Sequence, residues 1–495
     1  MMRSPRWPSR PFFLEAALGA ACAAALGFAA ARSWKWGVAL ALAFLLVGVS
    51  HARIRPLALG VLGFTMGVPI VWLHGVTCPT ALFVFGAQVP LQYVAPNIVI
   101  VITLPIALQR VREGAKVDSA LALAIVATLV WTGWNVFEAL AGVLDGHGRR
   151  VGSELAVTLQ YLWLMVAAGG VLTARLRGSR TVLFLTVFAG VATSLLSMLL
   201  FLAPSSVRNM VYASGGWAAS GRAGFPTTAF LCLLVPVCLA LWSGAQLSPR
   251  TRWLLVCSAL CMVGAVAVSQ TRALIVAVML NVIMVLLASR SRGSGSHAVR
   301  IAIAIALILV AGTVTVQLSH SQSLTKLPGA LWSRMESMAA FDRDSSVQTR
   351  LLTNRVALDR WSEDWRTMVA GEGLGATFDL YLGQGGGVYR TGSAVVDNAW
   401  ITTLVKSGLV GVVLLAMLVI AMFMLLAKAA KRCSDPVMAT VYGTLAISYP
   451  AFIVLTTVVS AQLVAQPAAI LAITTFAGMA SLCINSENRS RDRSA

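Results

Sequence analysis

The sequence is poor in charge. Only 11% of its 495 residues are Asp, Glu, Lys or Arg, against roughly 25% in an ordinary soluble domain. Acidic residues are the scarcest, 18 against 38 Lys and Arg, and histidine occurs 5 times. So little polar material excludes a soluble globular enzyme and a solvated disordered chain. What takes its place is apolar: 58% of the residues are hydrophobic and the mean hydropathy is +0.82. The formal net charge of +20 would suggest a polyanionic partner in a soluble protein. Here the positive residues occupy short loops between apolar runs, so membrane topology accounts for them and a nucleic-acid module is excluded. The 8 cysteines form no metal-type Cys-x-x-Cys and no evident pair outside the apolar runs, so they read as small apolar residues. No repeat of fixed period occurs, which removes sequence support for a two-fold transporter architecture.

A helix needs roughly 20 apolar residues to cross a bilayer. Fourteen runs qualify: 12–31, 36–52, 57–75, 90–109, 119–143, 155–174, 181–203, 226–246, 253–270, 273–289, 301–319, 409–427, 438–460 and 467–485. The expected fold class is therefore an all-α polytopic membrane protein with about 14 transmembrane helices (12–14) and one large external loop. Helices 1–11 fill 1–319, the loop 320–396, helices 12–14 residues 397–485, and a tail 486–495. With both termini cytoplasmic, the inner loops hold 22 of the 38 positive residues, including Arg110, Arg112, Arg180, Lys428 and Arg432. The apolar stretch of the first run is too long for a signal-peptide core, so an uncleaved first helix is expected.

The external segment is nearly charge-balanced. Residues 345–370 read as one amphipathic helix, with Val347, Leu351, Leu352, Val356, Leu358, Trp361 and Trp365 near helical spacing. Eight glycines follow between Gly371 and Gly392, which favours a mobile loop. Three arginines stand at outward helix entrances: Arg222 before the run 226–246, Arg272 at the tight turn after Ser269, and Arg350 at the start of the external helix. Arginine beside hydrocarbon pairs, snorkels or serves a function, and its fork suits phosphate oxygens. Asp397-Asn398 precedes nine residues leading to Gly408-x-x-Gly411, so Asp397, Ile401 and Leu404 share a helix face near the outer mouth. Asp397 would either cap that helix or accept a proton from an attacking hydroxyl. Asp342-Arg343-Asp344 reads as a solvated turn rather than a metal–nucleotide site. Gly371-x-Gly-x-Gly375 has no preceding strand and is not expected to bind nucleotide.

Four pieces in this order resemble the O-antigen ligase and polymerase family of bacterial membrane enzymes. They are Arg222–Pro226 (Arg-x-Gly-x-Pro), Ser269–Arg272 (Ser-x-x-Arg), Trp365 to Gly371-Glu372-Gly373-Leu374-Gly375, and Asp397-Asn398 to Gly408 and Gly411. The resemblance spans roughly 215–430. It implies a GT-C-like, metal-independent and cofactor-free glycosyltransferase of the bacterial inner membrane, working at the periplasmic face. Its donor would be a glycan on undecaprenyl diphosphate and its acceptor a second lipid-linked repeat or a glycolipid core, with a chain-length regulator as a further partner and no nucleic acid. Carried onto this chain, Asp397, Arg272 and Arg222 are the catalytic candidates. Arg222, Arg272, Arg350, Asn398, Trp365 and Tyr389 are the candidates for binding diphosphate or glycan. Ligases of the family carry histidine where this chain has Asp397, which favours a polymerase over a ligase. His74, His147 and His320 are the outward alternatives if a histidine is required. The rival from another class is a flippase for lipid-linked sugars, which would need polar residues along several helices at mid-depth; Gln160 and Asn281 are among the few. The topology has its own test: alkaline phosphatase fused within 320–396 should be active and a fluorescent protein fused after Ala495 should fluoresce, and the reverse pattern would invert the orientation.

Overall fold

A computed structural model describes residues 55, 57–67, 81–84, 87–113, 118–173, 176–203, 229–244, 247–269, 272–290, 345–384, 387–393, 398–458, 464 and 466–494. The compact unit described below is Leu59–Ala495. Among the described residues, eight helices are long and apolar enough to cross a membrane, consistent with an all-α polytopic membrane protein. Shorter apolar helices at Leu57–Gly67, Leu231–Ser243 and Leu274–Val285 match three further expected runs. The runs 12–31, 36–52 and 301–319 lie outside the described residues.

The helices are α1 (Leu91–Glu113), α2 (Ser119–Leu144), α3 (Gly148–Leu159), α4 (Trp163–Ala168), α5 (Leu176–Leu202), α6 (Leu231–Gly244), α7 (Pro249–Ser269) and α8 (Arg272–Arg290). They continue as α9 (Ser345–Trp361), α10 (Trp365–Ala370), α11 (Ala399–Arg432), α12 (Pro436–Val458) and α13 (Pro467–Ser494). Two antiparallel hairpins, β1 (Ala81–Val84) with β2 (Ala87–Pro90) and β3 (Phe378–Gln384) with β4 (Gly387–Ser393), are the strands among these residues. The second hairpin falls within the glycine-rich stretch expected to be a mobile loop, and pairs Phe378 with Ser393 through Gln384 with Gly387.

The bundle centres on α13, which packs on α4 and α11; α11 in turn packs on α2 and α12. Small residues allow the closest approaches. A Cβ on Gly478 would come 2.4 Å from the Ala167 Cβ, and one on Gly169 would come 2.6 Å from the Ala107 Cα. Such contacts suit a bundle whose outer solvent is as apolar as its side chains, so that association rests on close packing and hydrogen bonds. Trp163 is fully buried and its Nε1 donates to Thr475 Oγ1 at 3.0 Å.

Two ion pairs gather at one end of the bundle, the basic face. Asp118 caps α2 by accepting from Ala120 N at 2.9 Å, and Lys428 Nζ lies 2.7 and 2.6 Å from its two oxygens. Asp435 caps α12 by accepting from Val437 N at 2.9 Å and takes a two-pronged contact from Arg180, Nε and Nη2 each at 2.9 Å. Loops expected on the same side of the membrane are thus joined in space. Nearby, Cys433 Sγ lies 3.1 Å from Cys483 Sγ, a thiol pair 50 positions apart that the sequence did not suggest.

Burial raises the pKa of both carboxyls, but the hydrogen bonds from Lys428 and Arg180, with those from the backbone, outweigh it and hold Asp118 and Asp435 below their ordinary value of 3.8. A depressed carboxylate contributes stability above its unfolded pKa, and that contribution disappears as pH falls through the folded pKa. Asp435→Asn should therefore lower the melting temperature of detergent-purified protein at neutral pH, with the difference from wild type shrinking progressively as pH falls below the ordinary carboxylate value of 3.8. A difference that stays constant over that range would disprove the linkage.

Candidate functional site

The opposite end of the bundle, the loop face, is organised by a break in α11. Asn398 starts this helix, its Oδ1 accepting from Trp400 N at 2.9 Å and Ile401 N at 3.1 Å. The capping role that Asp397 could have filled thus falls to its neighbour; Asp397 itself lies outside the described residues. Two turns later Gly408 adopts φ 63° and ψ −168°, interrupting the helix before it continues to Arg432. The longer arm begins where the apolar run 409–427 does. A Cβ at Gly408 would come 2.1 Å from Val369 O, so the position admits glycine alone.

A helix break strands the carbonyls of the preceding turn, which cannot be left unpaired in an apolar surrounding. Here each finds a donor from elsewhere. Val405 O accepts from Glu372 N at 2.8 Å, Lys406 O from Gly373 N at 3.0 Å, and Ser407 O from Trp134 Nε1 at 3.1 Å. The Gly371–Gly375 segment is therefore threaded between α11 and α2, with Leu374 N donating to Glu138 O at 3.0 Å. Gly371, Gly373 and Gly375 all have φ between 85° and 88°. A Cβ on Gly142 would lie 1.9 Å from Leu374 O, which shows how tightly the thread fits. The amide hydrogens of Gly371 to Gly375 are all engaged by the protein.

The carboxylate of Glu154 closes the assembly. Its Oε2 accepts from Gly375 N at 2.8 Å, while Oε1 pairs with Lys406 Nζ. Lys406 is 4% exposed. Arg360 pairs with Glu372 on the outer side of the thread and reaches Thr377 O at 3.3 Å. Glu138, 1% exposed, leaves its Oε1 without a partner among the described residues.

Beneath the thread lies a cavity of about 180 Å³, with Leu374 in its wall. Lys406 and Glu154 line it together with Trp131, Asn135, Thr158 and Thr403. The Trp131 ring is 2% exposed and its Nε1 has no partner among the described residues.

The segment 345–370 differs from the expectation of one continuous helix. Ser362, Glu363 and Asp364 separate α9 from α10, because the chain turns at Ser362 and Asp364 is extended, with φ −138° and ψ 142°. Trp361 Nε1 then reaches back to Met368 O at 3.1 Å. Ala357 packs on Val405, joined by Trp361 and Ile401. Trp365 instead is 68% exposed, with the Arg366 guanidinium 5.7 Å from its ring.

The remaining candidates divide by position. Arg350 lies in the first turns of α9, and Tyr389 lies on β4 opposite Leu382. Arg272 opens α8, next to the α7 end that Gly264 and Cys261 bring beside Met198 and Val191 of α5. That end is the one remote from Arg180, so the Arg272 backbone shares the loop face with Asn398. His147 adjoins Gly375, whose added Cβ would lie 3.0 Å from the His147 Cβ. Arg222, His74, His320 and Asp342–Asp344 lie outside the described residues. Gln160 and Asn281, the mid-depth amides, brace neighbouring helices: Gln160 Nε2 donates to Gln92 O at 3.1 Å and Asn281 Nδ2 to Cys232 O at 2.9 Å.

Sequence reasoning missed Lys406, Glu154, Glu138 and Trp131. The available signal was the ionisable residue inside an apolar run, Glu138 in 119–143 above all. The pairing of Lys406 with Glu154, 252 positions away, has no local signature. No protein-family model matches this chain, and no curated protein shows detectable similarity to it.

Removing one partner of a buried pair leaves an uncompensated charge. Lys406→Met should therefore destabilise the protein by about 3–5 kcal/mol, and Lys406→Met with Glu154→Gln by distinctly less. Thermal melts of the two variants in the same detergent check this, and equal losses would refute the coupling.

Proposed function

We propose that this chain is a metal-independent glycosyltransferase that polymerises polysaccharide, transferring an undecaprenyl-diphosphate-linked glycan onto a sugar hydroxyl of a second lipid-linked repeat. The observation that carries the reading is the convergence of separate motif pieces at one end of the bundle. The Gly371–Gly375 thread is hydrogen-bonded to the Asn398–Gly408 arm over a cavity lined in part by Lys406 and Glu154, and the Arg272 backbone, which starts α8, stands at the same end. Under this reading the loop face is periplasmic and the protein belongs to the bacterial inner membrane. The runs 12–31, 36–52 and 301–319 complete 14 spans in a GT-C-like arrangement, with both termini cytoplasmic.

The chemistry follows from the residue types. Asp397 takes the proton of the acceptor hydroxyl, whose oxygen attacks the anomeric carbon of the donor. The bond to the diphosphate breaks and configuration inverts. Arg222 and Arg272 neutralise the departing undecaprenyl diphosphate, where a guanidinium held in a poorly solvated site has most effect. Arg350, Asn398, Trp365 and Tyr389 are the proposed contacts to glycan, Trp365 and Tyr389 through ring stacking. Aspartate rather than histidine at 397 favours polymerisation over transfer to a lipid A core. The use of the Gln160 and Asn281 amides as helix braces speaks against a transport path at mid-depth.

The test is a gel of lipid-linked and surface glycans from a deletion strain complemented with variants expressed at wild-type levels. Arg222→Ala, Arg272→Ala and Asp397→Asn should each reduce long polymer, with rate losses of about 10²–10³ for a lost electrostatic contact. A full ladder from all three variants would overturn the proposal. Long polymer retained on its lipid carrier, with bare core, would convert it to a ligase.

A further inference from the structure

We infer that the cavity beneath the Gly371–Gly375 thread is a subsite for one uncharged sugar ring of the acceptor; this rests on the glycosyl-transfer reading above. Its size and walls carry the inference. About 180 Å³ is room for several waters, which suits a single polar ring.

The walls combine apolar surface with a few polar groups, and their charges are balanced. Lys406 and Glu154 contribute one charge of each sign and are paired. An anionic ligand would meet the Glu154 carboxylate at the wall and a cationic one would meet Lys406. An acyl chain would leave the remaining ammonium N–H groups of Lys406 without hydrogen bonds, a costly outcome in a water-poor site. A polyol answers both kinds of group. An ammonium offers three N–H groups and Lys406 directs one to Glu154, so donors remain for sugar oxygens. The Thr158 and Thr403 hydroxyls donate to Glu154 O and Ala399 O, leaving their oxygens to accept from sugar hydroxyls. The Trp131 ring, which also lines the cavity, supplies an apolar surface beside these groups.

Acceptor rather than donor follows from position. Thr402 and Thr403 line the cavity one turn beyond Asn398, the residue next to the proposed base Asp397. The arginine proposed for the diphosphate, Arg272, opens α8, which packs on α6 and α12 rather than on α11. A sugar in the cavity is thus on the base's side of the assembly, where the acceptor hydroxyl must be.

Saturation-transfer NMR on the full-length protein in lipid nanodiscs tests the site. The probes are methyl glycosides of glucose, galactose, mannose and N-acetylglucosamine, with methyl glucuronide as the charged comparison. At least one neutral glycoside should show saturable transfer at millimolar concentration and bind better than the glucuronide. Thr158→Val and Thr403→Val keep the side-chain shape but each remove one hydroxyl, so each should weaken binding about 3- to 10-fold. Absence of saturable transfer from every neutral glycoside would overturn the inference. Binding unchanged in both variants, or preference for the glucuronide, would do the same. The glycan ladder of the deletion strain reports separately on glycosyl transfer. An unaltered ladder beside variant-sensitive glycoside binding would refute that reaction and the acceptor role while sparing the cavity's preference for neutral sugars; a lost ladder without glycoside binding would refute the subsite alone.

Discussion

Everything at the loop face depends on three carbonyl oxygens that α11 cannot satisfy by itself. In an apolar surrounding an unpaired backbone group costs several kcal/mol, roughly the whole contribution of a well-packed side chain. By turning through a positive φ, Gly408 strands Val405, Lys406 and Ser407, and the chain meets the demand with two loop amides and the Trp134 indole. The glycine thread is consequently a structural part of the bundle. Its alternating glycines let the backbone pass close enough to α2 and α11 for those bonds to form, and their left-handed φ values turn successive amides towards different helices.

The two ends of the bundle handle charge differently. At the basic face the carboxylates of Asp118 and Asp435 occupy helix starts, where backbone amides favour an anion. Their cationic partners are half-exposed: the Arg180 side chain is 43% exposed, and Lys428 stands in the last turns of α11. These pairs hold loops together while remaining hydrated on one side. The loop-face pair of Glu154 and Lys406 is far drier, and its geometry ties a third element, the Gly375 amide, to both helices. Such a pair contributes little net stability over apolar residues of equal volume. What it does provide is a fixed placement of polar atoms around a cavity that packing alone would close.

How much of this was legible in the sequence varies with the range of the interaction involved. Apolar run length located the helices well, because hydropathy and backbone satisfaction act locally; the beginning of the run 409–427 even marks the resumption of α11 after Gly408. The single helix expected over 345–370 failed at Ser362–Asp364. Periodicity of apolar positions continues through a turn that a backbone hydrogen bond at Ser362 and an extended Asp364 nevertheless impose. The glycines from 371 to 375 were seen as a loop, but their role was hidden, since the partners that require them are Glu138 on α2 and Lys406 on α11. Lys406 itself lies just before the apolar run 409–427, where no motif singles it out. Nothing near it in sequence reveals that Glu154 is its counterion.

This division bears on what a motif match can support. Gly371, Gly373, Gly375 and Gly408 are each explained by backbone conformation and close approach, and Gly411 by the 2.3 Å that would separate its Cβ from that of Ser407. Such positions speak for a common architecture: the same break, the same thread and the same satisfied carbonyls. They carry no chemistry of their own, because a fold is compatible with many reactions. The chemical content of the loop face must therefore come from side chains that the architecture does not need. Asn398 is largely accounted for by its cap, and Trp361 by its packing on Ala357. The Trp131 indole N–H, buried and without a partner among the described residues, has no comparable structural explanation. Polar groups kept at such positions against the cost of burial are the ones on which a functional reading should rest, and the glycines serve to hold them in place.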